Sequence, residues 1–247
     1  MVATGTGLAA NLAALVGLLA ALSTTVGLGA TAWAVGLVTA LVVGAVVTRA
    51  LGRRGAVALG PADLVTLFRA TLASAAAALV VEAYLGKPVT TPLVGLAVTA
   101  LVLDAVDGPV ARRTRTTSGF GAVFDGEVDA LLMLVLSAYV ARSYGEWVLA
   151  IGVIRYAFAA AGWVLPWLRG RLPFRYWRKV VTAVQGIVLT AAAADVVPPV
   201  LMYAVLVAAF GLLAESFGRD VWWLWARRIP QPVEVACATA PFRLRPR

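Results

Sequence analysis

The stretch LVLDAVDGPVARRTRTTSGFGAVFDGEVDAL, residues 101–131, places four aspartates and three arginines between two apolar runs. Charged residues are otherwise scarce, since they make up only 13% of the 247-residue chain, whereas 62% of it is hydrophobic. The mean hydropathy is +0.90. Soluble domains are about half apolar and about a quarter charged. The composition therefore predicts a membrane protein, and it places these aspartates where burying a charge is costly.

The chain lacks the residues that many enzymes use for catalysis. It contains no histidine, which excludes Ser/His/Asp and Cys/His triads and removes the commonest zinc ligand. Cys237 is the one cysteine, so the chain cannot form an internal disulfide. Any chemistry must come from carboxylates, arginines, hydroxyls and bound ions.

Eight apolar runs approach the length of about 20 residues that a membrane-spanning helix requires. They cover residues 7–23, 29–48, 64–85, 90–106, 119–141, 146–167, 178–196 and 199–217. Turn residues separate them, as at 86–88 (Gly-Lys-Pro) and 198–199 (Pro-Pro). The sequence predicts an all-α polytopic membrane protein with eight transmembrane helices, followed by a basic tail at 219–247.

The basic residues predict how the chain is oriented. The net charge is +9, and the arginines fall in short clusters between apolar runs, which is typical of membrane-flanking charge and not of a nucleic-acid-binding face. If residues 49–63, 107–118, 168–179 and 218–247 share one side, that side holds 17 basic residues and the other holds two. Because basic residues favour the cytoplasmic side, both termini and the aspartate-rich stretch are predicted to be cytoplasmic in the cell membrane.

The four aspartates form two pairs with helical spacing. Asp104 and Asp107 end one predicted helix at i, i+3, and Asp125 and Asp129 begin the next at i, i+4, so each pair shares a face. The Gly-Pro pair at 108–109 is expected to end the first helix. A carboxylate at membrane depth costs about 3 kcal/mol, and like charges repel. A positive group is therefore expected among the aspartates.

Two kinds of positive group could compensate them. Mg²⁺ and Mn²⁺ prefer oxygen ligands, and two such ions could share four carboxylates with the phosphates of a substrate. The alternative is a structural network of aspartate and arginine at the helix ends. The spacing of all four aspartates favours the metal site and indicates metal-assisted phosphate chemistry.

The aspartate-rich stretch resembles the signature of a known family. The pattern D-x2-D-G-x2-A-R-x8-G-x3-D-x3-D resembles the signature of the class I CDP-alcohol phosphatidyltransferases. Its fixed positions are Asp104, Asp107, Gly108, Ala111, Arg112, Gly121, Asp125 and Asp129. Two weaker matches flank it. Residues 61–69, PADLVTLFR, resemble the P-x-N/D-x-x-T-x-x-R entry to the core of the family, and Lys179, Thr182 and Gln185 resemble its K-x2-T-x2-Q element.

The resemblance implies a domain organisation and a reaction. A six-helix catalytic core would cover residues 60–218, preceded at 1–59 by a transmembrane hairpin and basic linker for which the sequence suggests no role. Members of the family move a phosphatidyl group from a CDP-linked donor such as CDP-diacylglycerol to an alcohol and release CMP, using two Mg²⁺ or Mn²⁺ ions. The resemblance also implies a homodimer.

The same resemblance implies roles for individual residues. Asp104, Asp107 and Asp125 would be metal ligands, and Asp129 would be both a metal ligand and the general base. The residues contacting the CDP donor would be Asp63, Thr66, Gly108, Arg112 and Ser118. Ala130, Val181 and Asp63 depart from the commonest family residues without touching the metal set, so they leave the acceptor preference open.

Arg155 is the candidate for binding the acceptor. It lies in the middle of an apolar helix, where an arginine is costly unless it faces a polar cavity or a partner. We expect it to bind an anionic acceptor, and the alternative is a salt bridge to Asp125, Glu127 or Glu215. Arg175 and Lys179 could also reach a phosphate. These residues favour a phosphorylated polyol such as glycerol 3-phosphate or inositol phosphate, while inositol and serine remain open.

Two other functional classes fit a membrane protein with an acidic cluster. A Mg²⁺-dependent membrane prenyltransferase also acts on a diphosphate, but it relies on two acidic motifs on distant helices. A transporter or lipid-binding scaffold could use the aspartates to bind ions without catalysis, although internal repeats typical of transporters are not visible. Release of CMP from a CDP-linked donor distinguishes the transferase from both.

Overall fold

A computed structural model describes residues 2–52, 58–113, 119–170 and 176–227, with backbone alone at 2–3, 58–59, 107–113 and 119–120. The eight α-helices are α1 (Thr4–Val26), α2 (Ala30–Gly52), α3 (Pro61–Tyr84), α4 (Thr90–Arg113), α5 (Gly119–Tyr144), α6 (Leu149–Val164), α7 (Tyr176–Ala194) and α8 (Pro199–Ala226). Short 3-10 helices at Glu146–Val148 and Pro166–Arg169 flank α6. Two-residue strands, β1 (Val2–Ala3) and β2 (Ala58–Leu59), pair antiparallel.

The all-α polytopic membrane fold predicted from the sequence is confirmed. Within the described residues, five helical segments are long and apolar enough to cross a bilayer, namely α1, α2, α3, α8 and the segment Glu146–Val164 that contains α6. The part of α4 described with side chains, Thr90–Val106, is a shorter apolar helix, whereas α5 and α7 fall outside that measure of length and composition. Charged residues on α5 and α7, including Asp125 and Asp129, lower the apolar signal of these two helices.

Two predicted helix ends differ from the structure. The helix predicted to end at the Gly-Pro pair 108–109 continues as α4 to Arg113. A proline inside a helix loses one hydrogen bond and its ring clashes with the preceding turn, which costs about 3 kcal/mol, so its presence disfavours the helix without forbidding it. The last helix was predicted to end at residue 217, but α8 extends to Ala226 because the apolar run VWWLWA prolongs it. The tail beyond 227 lies outside the described residues.

The helix α3 lies at the centre of the bundle. Sixteen of its 24 residues are buried, and α1, α2, α4 and α5 all pack against it. The side chains of the alanine-rich run at 73–78 are small, which lets neighbouring helices approach α3 closely. The helices α6, α7 and α8 complete the bundle through contacts with α5 and with one another. Any charged side chain on the inner half of α3 is consequently surrounded by protein.

Buried polar contacts tie the α1–α2 hairpin to this bundle. Glu82, which is fully buried near the end of α3, accepts a hydrogen bond of 2.5 Å from the Gly29 amide and pairs with Lys87 Nζ at 2.7 Å. Near the middle of α3, the Thr71 hydroxyl donates to the side-chain oxygen of Asn11 on α1. Hydrogen bonds and ion pairs are electrostatically stronger where water is excluded. These contacts therefore hold the hairpin in a defined position against the core.

Candidate active site

Three of the four predicted aspartates converge in the structure. Asp104 on α4 and Asp125 and Asp129 on α5 each offer a carboxylate oxygen, and these three oxygens all lie within 4.8 Å of one another. The side chains are 35%, 29% and 20% exposed, respectively. The expectation that the two acidic faces meet is confirmed for these residues, whereas the side chain of Asp107 is outside the described part of the chain.

The guanidinium of Arg69 lies at the centre of this acidic cluster. Arg69 is on α3 and is 1% exposed. Its Nη2 lies 2.9 Å from Oδ1 of Asp104, and its Nη1 and Nη2 donate to Oδ1 of Asp125 and of Asp129. Its Nε donates to the carbonyl of Ala100 at 3.2 Å. One arginine therefore joins α3, α4 and α5.

Arg69 is a site residue for which the sequence motifs predicted no role. It ends the upstream motif at 61–69, and an arginine within an apolar spanning helix is a signal that could have marked it. The structure thus contains the aspartate–arginine network that was the alternative to a metal site. Its arginine is distant in sequence, since Arg69 precedes Asp125 and Asp129 by 56 and 60 residues.

The cluster also has the charge and the ligand atoms that a divalent cation requires. Three carboxylates outweigh one guanidinium by two negative charges, before Asp107 is counted. Arg69 pairs with one oxygen of each described aspartate, and each carboxylate has a second oxygen with its own lone pairs. Oxygen ligands suit Mg²⁺ and Mn²⁺. The residues present therefore fit a divalent-metal site.

A pocket of about 110 Å³ adjoins the cluster between α5, α6, α7 and α8. Its polar lining consists of Asp129, Arg155, Thr182 and Gln185, and the rest of the lining is mostly apolar. Because Asp129 belongs both to the acidic cluster and to this pocket, a small polar molecule in the pocket would touch the cluster. The pocket is the natural candidate for an acceptor site.

Arg155 forms the salt bridge that was the alternative for this residue, and it also lines the pocket. Its binding of an acceptor remains a prediction. Its Nη2 lies 2.6 Å from Oε1 of Glu127, and the two side chains are 44% and 43% exposed. The close approach of α6 to α5 explains the contact. A Cβ on Gly152 would lie 2.5 Å from the Cα of Leu134, so only glycine permits this packing.

The α7 motif lies beside the same site. Thr182 and Gln185 line the pocket, and Gln185 is buried with its Nε2 donating to the carbonyl of Ala209 at 2.7 Å. Lys179 is close enough to interact electrostatically with Asp104. Two residues of the predicted K-x2-T-x2-Q element, Thr182 and Gln185, therefore line the pocket beside the acidic cluster, and Lys179 precedes them on the same helix. Arg175 lies outside the described residues.

Asp63 and Thr66, predicted to contact a nucleotide, have local helix contacts in the structure. Oδ2 of Asp63 accepts a hydrogen bond of 2.9 Å from the Gly60 amide, which caps the start of α3. The Thr66 hydroxyl donates to the carbonyl of Ala62 at 3.2 Å. Their contact with a donor remains a prediction.

The other predicted donor contacts lie at or beyond the edge of the described residues. Gly108 and Arg112 are placed by their backbone on α4, and Ser118 is outside the described ranges.

Comparison with known proteins shows which family the sequence matches. Residues 59–213 match the CDP-alcohol phosphatidyltransferase family. The chain is also 37% identical over 70 residues to a CDP-diacylglycerol–serine O-phosphatidyltransferase of Helicobacter pylori, a match that spans 26% of this chain and 30% of that relative. No solved structure matches the chain. Because the family match covers more than half of the chain, from the start of α3 into α8, the protein belongs to the CDP-alcohol phosphatidyltransferase family.

Proposed function

We propose that this protein transfers a phosphatidyl group from a CDP-linked lipid, such as CDP-diacylglycerol, to a polar alcohol and releases CMP. The observation that carries the proposal is the convergence of Asp104, Asp125 and Asp129 around Arg69, next to a pocket that Asp129 also lines. Membership of the family supports the same reaction. The core at 60–218 would carry it out, and the resemblance to the family implies that it does so as a homodimer.

The proposed cofactors are two Mg²⁺ or Mn²⁺ ions. Asp104, Asp107, Asp125 and Asp129 would hold them, and when bound they supply positive charge that stabilises the diphosphate and the departing CMP. The donor would also contact five residues of α3, α4 and the following turn, namely Asp63, Thr66, Gly108, Arg112 and Ser118. The fork of N–H donors on Arg112 suits a phosphate, and Gly108 would let the nucleotide approach the backbone.

Asp129 is proposed as the general base. The hydroxyl oxygen of the acceptor forms a bond to the lipid-linked phosphorus, the bond from that phosphorus to the CMP oxygen breaks, and the hydroxyl proton moves to Asp129. Arg69 already donates to Oδ1 of Asp129, so Oδ2 is the oxygen proposed to accept the proton. The residue lines the pocket, which places a base beside the bound alcohol in a chain without histidine.

A phosphorylated polyol such as glycerol 3-phosphate or inositol phosphate is the proposed acceptor. Arg155 lines the pocket, and its guanidinium has five N–H donors, more than the bridge to Glu127 uses. The remaining donors could bind a phosphate in two-point fashion. Serine is the second candidate, because the Helicobacter pylori relative is named for serine.

An acceptor panel tests the proposed function. Purified protein is incubated with CDP-diacylglycerol, Mn²⁺ or Mg²⁺, and one alcohol at a time: glycerol 3-phosphate, inositol phosphate, inositol or serine. We expect CMP release that depends on one of these alcohols, and a product lipid with the mass of its phosphatidyl ester. If no alcohol elicits CMP release, the transferase proposal is wrong, and a prenyltransferase or a non-enzymatic scaffold becomes the better explanation.

The proposed topology places the acidic cluster and both termini in the cytoplasm. Its basis is the excess of basic residues on one side, 17 against two. In a Cys237→Ser background, we expect a membrane-impermeant thiol reagent applied to intact cells to label Ser143→Cys but not Arg115→Cys. Permeabilised cells serve as the control, because both positions should then react. Labelling of Arg115→Cys alone in intact cells would invert the topology.

A further inference from the structure

A second, larger cavity lies on another side of α5. It is a groove of about 320 Å³ between α2, α5 and α6. Five residues of α2 between Val38 and Val46 form one wall, four residues of α5 between Phe124 and Leu131 form the other, and Tyr156 of α6 lies at its edge. The lining is mostly aliphatic and aromatic. We refer to it as the α2 groove.

The α2 groove opens towards the lipid-facing surface and is closed on its inner side. Val38, Val42 and Val46 follow one another at helical i, i+4 spacing, and they are 57%, 58% and 50% exposed. On the inner side, Phe124 and Val128 pack into a buried cluster with residues of α2 and α3. The groove is therefore a slot whose apolar wall is continuous with the surface that faces the acyl chains of the bilayer.

The groove also lies at the same level as the acidic cluster. Its lining residues Phe124 and Val128 immediately precede Asp125 and Asp129 along α5, so the two sites occupy the same turns of one helix. The α5 wall extends over about 10 Å, at the helical rise of about 1.5 Å per residue. Glu127 lines the groove and pairs with Arg155, which lines the pocket beside Asp129. This salt bridge separates the α2 groove from the proposed acceptor pocket.

We propose that the α2 groove binds one acyl chain of the CDP-linked lipid donor, with the N-terminal hairpin as its outer wall. The inference rests on the proposed function, which requires a lipid whose polar end lies at the acidic cluster. A chain leaving that end along α5 meets an apolar slot at the same depth. The hairpin precedes residue 59, where the family match begins, so this wall is contributed by the part of the chain outside that match. The hairpin thereby has a role in donor binding.

Filling the groove tests this inference. Val42→Trp places a large side chain in it, and Leu41→Trp is the matched control, because Leu41 is 59% exposed on the same helix and does not line the groove. The KM is measured by CMP release for CDP-dioleoylglycerol and for short-chain CDP-dihexanoylglycerol. We expect Val42→Trp to raise the KM of the long-chain donor about tenfold, as losing the burial of two CH₂ groups would do, and to leave that of the short-chain donor unchanged. Leu41→Trp should change neither.

A binding measurement keeps the test independent of turnover. Wild-type protein in phosphatidylcholine vesicles is photolabelled with a CDP-diacylglycerol that carries a diazirine on one acyl chain. We expect labels in residues 38–46 that unlabelled CDP-diacylglycerol removes and additional phosphatidylcholine does not. Labelling that phosphatidylcholine removes equally would mean that bulk lipid fills the groove, and the proposal would be overturned. Equal KM values for Val42→Trp and Leu41→Trp with the long-chain donor would overturn it as well.

The two proposals fail in different ways. If wild-type protein releases no CMP with any alcohol but shows competed labelling of residues 38–46, the transferase proposal is wrong and the lipid site stands. If CMP is released but labelling falls elsewhere, the groove is not the donor site, while the proposed reaction stands.

Discussion

Asp129→Asn is expected to lower CMP release about 10²–10⁴-fold, the range typical of losing a general base, while the protein still binds the CDP-linked donor. The asparagine keeps the size of the side chain and a carbonyl oxygen that can accept from Arg69, but it cannot take the proton of the acceptor hydroxyl. Asp104 and Asp125 remain in place around Arg69, so the donor-binding side of the cluster persists. The measurement is CMP release at saturating Mn²⁺, beside binding of radiolabelled CDP-diacylglycerol.

Two comparison variants make this result specific to the base. Glu215→Gln removes an acidic group from another membrane helix, where it pairs with Arg219, and it should leave turnover near that of the wild type. Asp104→Asn should lose both donor binding and turnover, because its carboxylate belongs to the proposed metal set. Near-normal turnover by Asp129→Asn would show that Asp129 is not the base, and a phosphate of the acceptor would become the better candidate.

Arg69→Met is expected to destabilise the protein in the presence of EDTA by up to about 3–5 kcal/mol, the cost of breaking a buried ion pair, with solvent access to the partly exposed aspartates reducing that figure. The substitution keeps an unbranched side chain but removes the positive charge that contacts Asp104, Asp125 and Asp129. The measurement is the thermal unfolding midpoint of the purified protein in detergent. Arg155→Met is the matched control, because its bridge to Glu127 is about half exposed and such pairs contribute about 1 kcal/mol or less.

Divalent ions should partly reverse the effect of Arg69→Met. If the aspartates bind Mn²⁺ or Mg²⁺, the ion stabilises the folded state, and the gain should be larger where no guanidinium competes for the carboxylates. We therefore expect Mn²⁺ to raise the unfolding midpoint of Arg69→Met more than that of the wild type. An Arg69→Met variant as stable as the wild type in EDTA would contradict the central role of Arg69. A midpoint unaffected by Mn²⁺ in both proteins would contradict the metal site.

Local patterns explain why much of the fold was predictable. Eight apolar runs gave eight helices because a spanning helix satisfies its own backbone hydrogen bonds within one continuous segment. The pairing of Asp125 with Asp129 on one face follows from i, i+4 spacing alone. The helix ends were less predictable, since α4 passes through Pro109 and α8 continues to Ala226. A proline inside a helix costs a hydrogen bond and a clash with the preceding turn, a local cost that other interactions in the folded protein can offset.

The sequence by itself determined that the chain is an all-α membrane protein and that Asp104, Asp125 and Asp129 belong to one acidic cluster, because both follow from patterns within one helix or one short segment. The tertiary structure alone decided which cation those aspartates meet, since Arg69 reaches Asp104, Asp125 and Asp129 only after α3, α4 and α5 pack together. It also decided that Arg155 both pairs with Glu127 and lines the pocket, and that α2 forms a groove with α5. These contacts depend on how each helix is rotated and packed against the others, and helical periodicity does not specify that arrangement.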